Sequence, residues 1–151
     1  MSINEYDNTA IDLSQSTFGE YVSEYSFDEA LANGLLLNVT SWVQHEMGYG
    51  SNRYCVQVAV TARLWKTIVR ISPLAKKWQT VVGRGNDVLW LGSYALQRAQ
   101  QVTRDRANFQ CFLPTDDDWG TECIKQLRIE RREENGKQVA VIGYAEEFAM
   151  L

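Results

Sequence analysis

Gly83-Arg84-Gly85, in the stretch VVGRGNDVLWLGSYALQ, is the glycine pair of this sequence that most resembles a phosphate loop. Glycines ahead of a helix let backbone N–H groups close on an anion. A nucleotide loop needs more: a longer glycine run with Lys-Ser/Thr, or a third glycine after a strand. Neither is present, and Asp87 would repel a phosphate. The pair is therefore expected to be a turn leading into a helix capped by Asn86. Asp116-Asp117-Asp118 offers hard oxygen ligands for a divalent cation. Three consecutive side chains rarely converge on one ion, so a solvated loop is expected. His45-Glu46 has the types of an acid–base pair, yet no serine or cysteine can be assigned to it as nucleophile. A surface or packing role follows for this single histidine. Cys55, Cys111 and Cys123 lack C-x-x-C spacing and are read as buried, reduced thiols in strands. No catalytic residue, metal site or cofactor is expected.

Charge is the stronger signal. The net charge of -4 conceals a sorted layout. Residues 1–52 carry eight acids and no lysine or arginine, whereas residues 53–110 carry ten bases and two acids. Within the acidic third, Glu20, Glu24, Asp28 and Glu29 form a candidate face for a basic protein partner. Aromatic residues interleave with these acids (Tyr21, Tyr25, Phe27, Trp42), although most such rings are expected in the core. The alternative is a nucleic-acid contact through Arg63, Lys66 and Arg70 together with Lys76, Lys77 and Arg84. A third arrangement packs the acidic third against the basic middle, so that each neutralises the other.

These residues need elements to hold them. Ser26 caps a short helix ending at Gly34, LLLNV (35–39) is a short strand, and Thr40 caps a second helix. RYCVQVAV (53–60) has the β-branched composition of a strand. Thr61 then caps ARLWKTIVRI, with Leu64, Ile68 and Ile71 on one stripe and the three bases opposite, until Pro73 ends it. LAKKW reads as a single helical turn. From residue 87 to about 101, Val88, Leu89, Leu91, Ala95, Leu96 and Ala99 make a broad apolar band, the expected central helix. FQCFL (109–113) is a strand and PTDDDWG (114–120) a loop. The last two strands flank Glu134-Asn135-Gly136, a type I′ hairpin signal. The expected fold is α+β: one domain over 17–151, a mainly antiparallel sheet with a C-terminal hairpin, and several short helices around one central helix. Residues 1–16 are expected to form a flexible or draped arm.

Composition places the chain among ordinary soluble domains, with 45% hydrophobic and 23% charged residues. No apolar run approaches a membrane span, and MSINEYDNTAIDLSQSTF lacks the basic and apolar regions of a secretory signal. A cytoplasmic protein, without membrane contact, is expected.

Three segments read together, YSFDEALANGLLLNVT, VAVTARLW and GNDVLWLGSYALQRA, resemble a family of small, functionally uncharacterised domains encoded by phages, plasmids and other mobile elements. The likeness covers roughly residues 20–100, with a weaker echo in the C-terminal hairpin. GYGSNRYC and the long acidic N-terminus depart from the pattern. The resemblance implies an accessory protein of a mobile element in a bacterial host cell. A non-catalytic inhibitor of a host defence complex, of restriction or CRISPR type, is the function expected from that context and from the acidic segment. The resemblance carries no catalytic residues with it.

Overall fold

Short caps and β-branched runs set the local structure, and the computed structural model describes residues 21–47 and 57–149. The expected arm, Glu20, Cys55 and the loop at 48–52 lie outside the described residues. Helix α1 is Phe27–Ala32, capped by Ser26, whose Oγ accepts the Glu29 N–H at 3.1 Å. Gly34, at φ 74°, turns the chain into strand β1, Leu36–Asn38. Helix α2, Thr40–Glu46, starts one residue earlier than the capping expectation required. Thr40 is its first helical residue; Asn38 Oδ1 takes both its N–H and its hydroxyl, and Thr40 Oγ1 accepts the Val58 N–H at 3.0 Å. The hydroxyl thus ties α2 to the sheet instead of closing the helix end.

Strand β2, Gln57–Thr61, runs directly into helix α3, Ala62–Val69, and Thr61 caps it by accepting the Leu64 N–H. The helix stops at Val69, short of the region next to Pro73. A 3-10 turn at Ala75–Lys77 leads to helix α4, Val81–Gln101. Strands β3 (Arg106–Phe112), β4 (Ile124–Glu134) and β5 (Lys137–Tyr144) complete the chain. Asn135 and Gly136, at φ 52° and 77°, make the β4–β5 turn as the sequence expects.

The five strands form one sheet in the order β1-β2-β5-β4-β3. Three of the pairings are antiparallel; β2 and β5 are parallel, with Val58 opposite Ala140. The domain is α+β. One sheet face carries the main core, where Val58, Val60, Leu127, Ile129 and Ile142 meet α2, α3 and α4. The other face carries a smaller core, in which Phe27, Ala30, Leu36, Val141 and Phe148 cover β1, β2 and β5. Along residues 106–110 of β3 and 126–132 of β4 that second face is polar.

The central helix is in place, but its start and its band need correction. It begins at Val81 with Thr80 as cap, whose Oγ1 accepts the Gly83 N–H at 3.0 Å, so Gly83-Arg84-Gly85 is helix interior. Leu91 is 41% exposed and leaves the apolar band, while Gly92 and Ser93 enter it. Leu89 is 2% exposed. Leu89→Ala is expected to lower stability by about 2–5 kcal/mol. An unchanged denaturation midpoint would show that the wrong face of α4 has been taken as buried.

Candidate functional site

Arg84 has the most complete set of partners among the candidate bases, and all of them point inward. Its Nε donates to Ile68 O (2.9 Å), Nη2 to Thr67 O (2.8 Å), and Nη1 to Pro114 O (2.9 Å) and Gln79 Oε1 (2.8 Å). Thr67 and Ile68 lie in the last turn of α3, where carbonyls run short of intrahelical donors; Thr67 O also takes the Arg70 N–H, at 3.3 Å. The guanidinium caps that helix end and pins the 114 loop to α4. At 2% exposure it can touch no phosphate. Gly85 is explained by packing: a Cβ there would stand 2.6 Å from the Trp42 ring. Asn86, expected as the cap, instead accepts the Trp42 Nε1–H at 2.9 Å.

The other bases of that set are partly engaged. Arg63 pairs with Glu146 and lies 4.4 Å over the Tyr144 ring. Arg70 stands 3.9 Å from Asp117. Lys66 is half-buried, and Lys76 and Lys77 are exposed on the 3-10 turn. Glu24, Asp28 and Glu29 are exposed along residues 24–29, where Asp28 has one loose partner, Lys137 at 3.9 Å. Among the described residues, no ion pair joins an acid of the first third to a base of the middle third. The mutual neutralisation considered from sequence is therefore not found there. The described acids of the first third and the described bases of the middle third are not paired with one another.

His45 and Glu46 are exposed at the end of α2, on the rim of a groove of about 790 Å³. Leu37, Trp42, Trp65, Val81 and Val82 line its apolar part, and the two indoles meet edge to face at 5.4 Å. Of the three aspartates in the 114–120 loop, only Asp116 and Asp117 are exposed. Asp118 accepts from Lys125 Nζ (2.7 Å), Thr115 N (2.8 Å) and Thr115 Oγ1 (2.9 Å). Desolvation works to raise its pKa, but these bonds outweigh it and hold the carboxyl below its usual value. Asp118 thus closes a loop instead of facing solvent. Among the described residues, no cluster of three His, Cys, Asp or Glu could hold a metal ion.

Cys111 is buried on β3, as expected, whereas Cys123 is half-buried at the end of a 3-10 turn, Gly120–Cys123. Burial, reinforced by the charge of Asp87, pushes the Cys111 thiol up to about 12, against a smaller opposing pull from Arg84. At pH 8 only about one thiol in ten thousand would be ionised, and the thiolate is the nucleophile. Native protein treated with iodoacetamide should therefore stay unmodified at Cys111 by mass spectrometry, with full labelling after denaturation. Rapid native labelling at that residue would contradict its burial.

Sequence reasoning missed a cleft of about 800 Å³ on the polar half of the second sheet face, bordered by Arg104, Arg106, Arg128, Arg131 and Arg132. The register makes it: Arg106 pairs with Glu130, and Asn108 with Arg128. The alternation R-x-E-x-R at 128–132 was the available signal, since period 2 places these side chains on one strand face.

Comparison with known proteins yields no counterpart: no family model matches the chain, and no curated protein or solved structure matches it significantly. No helix among the described residues is long and apolar enough to cross a membrane.

Proposed function

We infer that the protein is a non-catalytic interaction protein that binds a basic protein surface through Glu24, Asp28 and Glu29, with Glu20 preceding them in the chain. The observation that carries this reading is the separation of charge. The described acids of the first third face solvent, and none is paired with the basic middle. An exposed single-sign ridge steers encounter with an oppositely charged partner. Duplex binding through the basic middle is weakened, because Arg84 is internal and Arg63 and Arg70 have carboxylate neighbours.

The resemblance to mobile-element domains directs the choice of partner. A host defence complex has basic surfaces built for nucleic acid, and an acidic protein ridge competes for them. The test is affinity capture from host lysate with wild type and with Glu24, Asp28 and Glu29 all changed to Lys. A partner captured by wild type should be lost in the reversed variant. Capture of the same proteins by both would remove the ridge from the interface.

A further inference from the structure

The arginine cleft on β3 and β4 contains donors with nothing to donate to. Arg132 Nη1 is used: it donates to Tyr25 O at 3.1 Å and stands 3.8 Å from Glu134 Oε1. The opposite edge of the same guanidinium, Nε and Nη2, is buried and has no acceptor. Arg128 Nε is likewise buried without one. Nε and Nη2 together are the parallel pair of N–H groups that grips two oxygens of one oxyanion. Buried polar groups are almost always satisfied, so an orphan pair on a residue that lines the cleft calls for an acceptor.

The surrounding charge selects its chemistry. Five arginines border the cleft against Asp105 and Glu130, and Glu130 Oε2 sits 3.6 Å from Arg128 Nη2 without a hydrogen bond. With Glu134 beside Arg132 also counted, two positive charges remain in excess, which favours a dianion over a single carboxylate. All five bases are arginine, the residue that reads planar or tetrahedral oxyanions by geometry as well as charge. We propose that this cleft binds a phosphate monoester, with the Nε/Nη2 edge of Arg132 as its anchor and Arg104, Arg106, Arg128 and Arg131 supplying the surrounding positive field. The ligand is a free nucleotide or sugar phosphate, or the phosphorylated end of a larger molecule. This site stands independently of the acidic ridge.

The side-chain Nε–H signals of arginine in the 15N-labelled full chain read the site directly. Inorganic phosphate and adenosine 5′-monophosphate, each added at constant ionic strength, should shift the Arg132 and Arg128 signals with saturation below about 10 mM. A single-stranded oligonucleotide bearing a 5′-phosphate, compared with the same strand lacking it, separates the two sources. Preference for the phosphorylated strand over the mononucleotide assigns the site to a nucleic-acid end, and the reverse to a small molecule. Arg132→Gln risks the fold through Tyr25, so the control is Arg104→Gln with Arg106→Gln, both exposed. That variant should keep the unliganded melting temperature and bind phosphate about tenfold more weakly or worse. Signals of Arg128 and Arg132 that respond to phosphate no more than to chloride would overturn the proposal. So would equal affinity in the double variant.

Discussion

Arg84→Met is expected to lower stability by about 3–5 kcal/mol, because hydrogen bonds from a charged group contribute about 1.5–3 kcal/mol each and buried acceptors are left behind. The substitution removes four hydrogen bonds at once and leaves the carbonyls of Thr67, Ile68 and Pro114 without the donor they now share. Those carbonyls lie in two separate places: two on the last turn of α3 and one in the loop after β3. Lysine should not restore the loss. One ammonium cannot present the guanidinium's directed donors to acceptors on opposite sides. The check is a denaturant midpoint for wild type, Arg84→Met and Arg84→Lys. Changing the exposed Lys76 and Lys77 to Met serves as comparison, with an expected effect within about 0.5 kcal/mol. Equal midpoints for Arg84→Met and wild type would mean that the guanidinium is solvated, and would return it to the basic surface.

Gly143→Ala should be comparably damaging, although it adds a single methyl group. Gly143 lies on β5, inside the sheet, and its missing Cβ would strike Thr61 Cγ2 and come within 3.1 Å of Glu147 Oε1. Both neighbours are held. Thr61 caps α3 and donates its hydroxyl to Glu147 Oε1 at 2.7 Å, and the same oxygen accepts the Tyr144 N–H at 2.9 Å. Burial keeps the Glu147 carboxyl above its usual pKa, against the pull of those bonds. Overpacking costs about 1–3 kcal/mol, and a displaced Glu147 would add the cost of a buried carboxylate with fewer donors. A loss of about 3 kcal/mol or more is expected. Thr61→Ser removes the obstructing methyl and keeps the hydroxyl. In the double variant the two changes should therefore cost at least about 1 kcal/mol less than their sum. Strict additivity would show that the contact is not the cause.

Much of the local structure was legible because single side chains decide it. Ser26 and Thr61 each accept the N–H three residues on, and Asn135-Gly136 supplies two left-handed residues, so a cap or a turn can be read without knowing the fold. The start of α4 was not legible for the opposite reason. Two glycines within three residues weaken a helix by roughly 1 kcal/mol each. What compensates is distant in sequence: Trp42 fills the space beside Gly85, and Arg84 reaches α3 and the loop after β3. The arginine cleft depends on the β3–β4 register, and counts of charge by segment cannot show it. Charge counts did identify the acidic segment, and the fold leaves its described acids facing outward.

The most direct test of the acidic ridge is the association rate of the full chain with its captured protein partner, measured against ionic strength for wild type and for the variant with Glu24, Asp28 and Glu29 changed to Lys. A steered encounter should slow steeply as salt rises for wild type, and at low salt the variant should associate at least about tenfold more slowly. A rate indifferent to both salt and the reversal would contradict the account, as would tight, salt-sensitive binding of the protein to DNA or RNA that the reversal leaves unchanged.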